Sequence, residues 1–289
     1  MEFRGIMGGF YKISEWIMRL SVINVLWVVC SFPFFYLVLA GLIAVSENPD
    51  VGMQSLTLIA IVTPFTLFPA TAATFTIARK WVTGDADVPL FKTYFRGYKE
   101  NYLQSMLGGI FFILFYVILY VNYTFYLKQS STLSLLSVLF IILLVILTCA
   151  MFHFFSLMVH FHMKFFQLLK NAVLITIGNP ITTILLIVTN AAIIYISATK
   201  FTFLIPFFMG SLLATVSFFY FHRIFDKIKT RSEREQKEQE EKAAQEEAER
   251  LEAEAAHGDE HRAEEFRADS DADGTVERRP SEESETDRK

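Results

Sequence analysis

Inside its six long apolar blocks, which together run from Leu20 to His222, the chain has no aspartate or glutamate, and in all 289 residues it has two cysteines. Ion-coupled carriers commonly hold a carboxylate within the bilayer as a proton or sodium relay, so its absence argues against that class. Cys30 and Cys149 both fall within apolar blocks, which rules out a disulfide framework and a multi-cysteine zinc site. The 13 glycines form neither a phosphate-binding Gly-x-x-x-x-Gly-Lys loop nor a Gly-x-Gly-x-x-Gly turn. A Gly-x-Ser-x-Gly elbow and a His-Glu-x-x-His helix are also missing. The expectation is a protein that is not an enzyme, holds no cofactor or metal, and binds no nucleic acid.

What is present is apolar, with hydrophobic residues making up 53% of the chain. The blocks cover residues 20–45, 56–78, 104–126, 133–155, 181–198 and 201–222. Each approaches the roughly 20 residues a helix needs to cross a bilayer. Backbone in hydrocarbon must satisfy its own hydrogen bonds, and these runs are too long and too uniform for barrel strands, so the expected fold is all-α with six spans. Lys12 and Arg19 before the first block resemble a signal peptide, but the run is about 26 residues long and reads as a retained span. Basic residues alternate from gap to gap. Three precede the first span, five follow the second, two the fourth and four the last, while the intervening gaps hold none, one and one. Positive residues stay on the cytoplasmic side, so both termini are expected there, in a bacterial cytoplasmic membrane.

Composition divides the chain. Residues 1–229 hold 15 Lys+Arg against 8 Asp+Glu, whereas residues 230–289 hold 11 against 22. The first part is expected to be the membrane domain and the second a charged cytoplasmic tail. Spacings such as Glu233 to Lys237 and Glu246 to Arg250 support a helix to about residue 256, without the apolar seam of a coiled coil. Beyond Gly258 the Asp/Ser/Glu/Arg mixture points to disorder.

Two basic gaps have amphipathic periodicity. In 88–102, Leu90, Phe91, Tyr94, Phe95, Tyr98 and Tyr102 recur at helical spacing opposite Lys92, Arg96, Lys99 and Glu100. An interfacial helix is expected, with Asp87 as its N-cap and Pro89 in its first turn. In 161–177, Phe161, Phe165, Leu168, Ala172 and Ile175 form a stripe against Lys164, Gln167, Lys170 and Asn171, ending at Gly178-Asn179-Pro180. Near the N-terminus Phe3, Met7, Phe10, Ser14 and Ile17 are in register, but three glycines weaken the helix, leaving a partly ordered arm and a third interfacial helix both open. The three segments suggest a repeating unit of one amphipathic helix followed by a transmembrane hairpin.

The motifs Met7-Gly8-Gly9-Phe10-Tyr11, Asn24-Val25-Leu26-Trp27, Ser31-Phe32-Pro33, Pro69 to Ala73 and Ala78-Arg79-Lys80-Trp81, with the aromatic and basic stretch 91–101, resemble the YesL-like family of bacterial integral membrane proteins. The similarity covers roughly residues 1–228. The chain departs from the family's pattern at Phe68-Pro69, where Gly-Pro is expected. The resemblance implies association with carbohydrate-uptake transporters and sensors, and it carries over no catalytic residues.

Polar groups within the spans offer two readings. Asn24, Thr71, Thr74 and Asn190 either bond one helix to another or line a polar cavity. His153 and His160 share a helix face about 10 Å apart, too far to share one ion with bonds of about 2.1 Å, and His162 diverges from His160. At the cytoplasmic end Lys80, Lys92, Arg96, Lys99 and Arg223 form a basic collar. It suits anionic lipid, at roughly 1 kcal/mol per basic residue, or docking of a membrane transporter or sensor. The expected function is a non-enzymatic accessory or regulatory membrane protein, with a small facilitator or channel for a polar solute as the alternative.

Overall fold

The computed structural model describes residues 6–129 and 131–273, and every regular element within them is helical. These are α1 (Ile6–Cys30), α2 (Phe32–Glu47), a 3-10 turn (Pro49–Val51), α3 (Gly52–Val82), α4 (Leu90–Leu127), α5 (Ser131–His160), α6 (Phe165–Gly178), α7 (Pro180–Thr199), a π-helical turn (Ile205–Met209) and α8 (Gly210–Asp273). Six stretches are long and apolar enough to cross a membrane. The all-α, six-span expectation holds.

The first apolar block is not one straight helix. It breaks at Ser31, whose hydroxyl donates to the Trp27 carbonyl, and α2 restarts with Pro33 in its first turn. Proline has no N–H to continue the ladder and disfavours helical backbone before it, which explains the bend. Phe3 and Arg4 lie outside the described residues.

Phenylalanines are prominent among the largest side chains of the core. Phe68 and Phe75 of α3 each lie 5.3 Å, ring centre to ring centre, from Phe155 of α5, and Phe112 of α4 is 5.4 Å from Phe154. Glycines let the backbones approach. A Cβ on Gly109 would lie 2.7 Å from the Pro64 Cα, and one on Gly97 would lie 2.6 Å from the Thr76 hydroxyl, so α3 and α4 are antiparallel neighbours in near backbone contact. Pro69, inside α3, leaves the Phe65 carbonyl without its usual donor, and the Tyr102 hydroxyl donates to that carbonyl at 3.4 Å. Gly84, at φ +93°, ends α3 in a left-handed turn closed by Asp85 N–H to Lys80 O at 2.9 Å.

The amphipathic segment expected at 88–102 is not a separate helix. It is the first part of α4, continuous with the span, and Tyr94 is completely buried. Tyr94 joins Ile23, Ala73, Ile77 and Trp81 in a second small core, with Leu20, Val88, Leu90 and Tyr98 packed around it, while Phe91 and Phe95 of the same stripe are exposed. The N-terminal amphipathic stretch, likewise continuous with α1, packs there through Trp16, edge-on to Trp81 at 5.4 Å. Asp87 is not the N-cap. Pro89 takes that position, and the Asp87 carboxylate accepts from Arg19 Nη2 at 2.6 Å, with Glu15 also bonded to that guanidinium. Asp87→Asn is expected to leave the fold intact and speed amide exchange over residues 9–19, because an exposed ion pair contributes little to global stability. Unchanged exchange there would show that the pair holds nothing.

The segment at 161–177 does yield a separate helix, α6, with Leu168, Leu169, Ala172 and Thr176 buried. Among the three amphipathic segments, only this one is broken from the span that follows it, so the proposed repeat units differ at that joint. The chain divides into compact units at Asp226 and Lys227. Within the second unit α8 continues beyond the expected end near 256 and passes Gly258 to reach Asp273; residues 274–289 lie outside the described set. One glycine costs about 1 kcal/mol, which a run rich in Ala, Glu and Arg offsets, with support from Arg231 to Glu235 at 2.8 Å.

Candidate functional site

Asn24, inside α1, meets the point where α8 begins. Its Oδ1 accepts from the N–H groups of Gly210 (2.7 Å) and Ser211 (3.1 Å), and its Nδ2 donates to the Ile205 carbonyl at 2.9 Å. One carboxamide therefore bridges backbone groups on either side of the junction between the π-helical turn and α8. A turn further along α1, Trp27 Nε1 donates to Thr71 Oγ1 at 3.0 Å, while Thr71 donates to Leu67 O within its own helix. Thr74 donates to the Ala70 carbonyl, which the buried Tyr94 hydroxyl also reaches at 3.2 Å. Asn190 lies elsewhere, on α7, and its Nδ2 donates to Ser217 Oγ of α8 at 2.8 Å.

Of the four polar candidates, Asn24 and Thr71 are brought near each other through Trp27, Thr74 serves the α3 to α4 contact, and Asn190 joins a different helix pair. Each makes hydrogen bonds within or between helices. A groove of about 350 Å³ runs along α2, lined by Tyr36, Leu39, Ala40, Ile43, Ala44 and Glu47, and includes none of them.

The basic candidates lie at the opposite end of the α3 to α4 hairpin from Gly52 and Leu127. Lys80 pairs with Asp85 at 3.1 Å and Arg96 with Glu100 at 2.8 Å. The Arg223 guanidinium lies 5.9 Å from the centre of the Phe219 ring. Lys92 and Lys99 are exposed and have no ion pair among the described residues, and Phe91 and Phe95 are exposed beside them. At this end the bundle presents an aromatic and basic strip on the outer side of α4.

The histidines are separated by environment. His153 is completely buried, and neither ring nitrogen has a partner among the described residues. His160 is enclosed by Phe161, Phe218, Phe221 and Phe225, with ring centres 4.6 to 5.9 Å away. His162 is exposed. No cluster of three metal-ligating side chains occurs among the described residues. Sequence reasoning missed the Arg19 to Asp87 link and the bond from Gln104 Nε2 to Met163 O at 2.9 Å, because their partners are 68 and 59 residues apart and no local period relates them.

Residues 20–123, covering the later part of α1, all of α2 and α3 and most of α4, match the family described as a protein of unknown function, DUF624. The chain is 26% identical over 231 residues to the uncharacterized protein YesL of Bacillus subtilis, spanning 80% of this chain and 96% of YesL. It is 27% identical over 214 residues to YteU of the same organism, spanning 74% of this chain and 84% of YteU. It is 29% identical over 171 residues to YesV, also from Bacillus subtilis, spanning 56% of this chain and 78% of YesV. No solved structure matches. With a DUF624 match across its first four helices and similarity to nearly the whole of YesL, the chain is a six-span helical protein similar to the YesL-like proteins, as its motifs indicate.

Proposed function

We propose that this chain is a multi-pass protein of the bacterial cytoplasmic membrane, with both termini in the cytoplasm, acting as a non-enzymatic accessory or regulatory partner of a carbohydrate-uptake transporter or its sensor. The observation that carries the accessory role is how the polar groups are used. Asn24, Thr71, Thr74 and Asn190 bond helices and backbone, whereas the exposed Lys92, Lys99, Phe91 and Phe95 of α4 are left for something outside the bundle. Aromatic and cationic side chains on one strip suit both a protein partner and a lipid surface. The orientation rests on the gap-by-gap charge count, and the link to carbohydrate uptake rests on the resemblance to YesL-like proteins.

Reversing Arg96 and Lys99 to glutamate is expected to reduce co-purification with a membrane partner at least tenfold while leaving detergent-solubilised stability unchanged. Both residues are exposed and touch no core. Equal recovery of the partner by the double variant would overturn the docking role.

One observation favours the second reading, a facilitator for a polar solute. His153 is buried between helices with both ring nitrogens unpartnered, an arrangement that a polar guest would relieve. Solute flux in vesicles containing only this chain separates the two readings, and flux abolished in His153→Phe would favour the facilitator.

A further inference from the structure

Arg79 lies in the last turn of α3, directly after seven buried residues from Ala72 to Ala78. Its Nη1 donates to the carbonyl of Val159 at 2.5 Å, in the final turn of α5, where the helix leaves carbonyls without donors of their own. That bond anchors one nitrogen of the guanidinium. It leaves Nε and Nη2, the two donors along one edge of the group, with no acceptor among the described residues, and neither nitrogen is buried. Glu100 is near enough to act on Arg79 electrostatically, but its carboxylate is bonded to Arg96 at 2.8 Å and makes no ion pair with Arg79.

The free edge also lies at a definite level of the molecule. Trp81 follows two residues later against Trp16, Tyr98 and Tyr102 pack on each other at 5.7 Å, and α5 ends at His160. Tryptophan and tyrosine gather where hydrocarbon meets headgroups, and charged residues begin there. A planar pair of parallel N–H donors fits two oxygens of one phosphate, giving a bidentate contact that a lysine cannot reproduce. Basic pockets between helices on the cytoplasmic side are suited to lipid headgroups.

We propose that the Nε and Nη2 edge of Arg79, held in place by the Val159 carbonyl, binds a phosphate group supplied by an anionic phospholipid of the leaflet at the basic end. The inference rests on the membrane placement of this end and is independent of the accessory role. Its ligand is a single phosphodiester on one anchored guanidinium, distinct from diffuse attraction to the collar.

The test uses the full chain, delipidated in a neutral detergent, with phosphatidylglycerol, diacylglycerol or inorganic phosphate added. Phosphatidylglycerol is expected to raise the thermal midpoint by several degrees more than diacylglycerol. The increment should disappear in Arg79→Lys, which keeps the charge, and in Arg79→Gln, while Lys92→Gln retains it. Native mass spectrometry of the unaltered chain should show a retained phosphatidylglycerol that diacylglycerol does not replace. This measurement stands even if the Arg79 variants fail to fold. An equal increment in wild type and Arg79→Lys, or no retained phospholipid, overturns the proposal. If millimolar inorganic phosphate reproduces the whole shift, phosphate recognition stands and the lipid source is overturned.

Discussion

Replacing Gly109 with valine is expected to destabilise the bundle by on the order of 3 kcal/mol and to force α3 away from α4. The new Cβ would lie 2.7 Å from the Cα of Pro64 and 2.9 Å from both the Pro64 Cβ and the Phe68 Cγ. A side-chain tip can rotate away, but the Pro64 backbone cannot yield without moving α3. Phe68 also stacks toward Phe112, so displacement would carry into the aromatic core. Gly9 provides the control, because nothing lies within 4 Å of a Cβ built there and alanine is a better helix former. Thermal unfolding of Gly109→Val and Gly9→Ala in one detergent would check this. Equal midpoints would mean that α3 and α4 are not in close backbone contact.

Asn24→Leu should have the second largest effect, about 3 kcal/mol, because it removes three hydrogen bonds between one buried side chain and the backbone at the start of α8. Leucine is nearly the same size, so the loss would arise from polarity and not from a cavity. Asn190→Leu is the comparison. It breaks one bond, to Ser217, and removes an Oδ1 that already lacks a partner, so its cost should be much smaller. Hydrogen exchange at residues 205–211 should accelerate only in the Asn24 variant. Equal losses at the two positions would show that Asn24 is one more helix contact and not the seat of the α8 start.

The apolar blocks announced the spans because hydrocarbon leaves a helix no alternative, and the stripe of Leu168, Ala172 and Ile175 announced α6 because Gly178 and Pro180 break the chain after it. The continuity of α4 was harder to read. Tyr94 and Gly97 look like ordinary members of a lipid-facing surface until α3 is beside them, with Thr76 against the glycine and Ala70 accepting from the tyrosine. A residue period reports that a face is apolar and is silent on whether lipid or protein covers it. Ser31-Phe32-Pro33 carried a readable signal for the bend, since proline breaks a ladder wherever it falls. Arg79 carried none. Its partner is a main-chain carbonyl 80 residues away, and any residue at position 159 would supply the same oxygen.

The π-helical turn at Ile205–Met209 sets the phase of everything that follows it in the membrane. Ser211, Ala214, Phe218 and Phe221 are buried because α8 leaves that turn at one particular rotation, pinned by Asn24 at Gly210. One residue gained or lost there would turn those side chains by about 100° around the helix axis, and a loss would bring the exposed Phe219 into the place of Phe218. The hairpin between α7 and α8 is therefore a connection of fixed length, in which a single-residue deletion would do more harm than most substitutions.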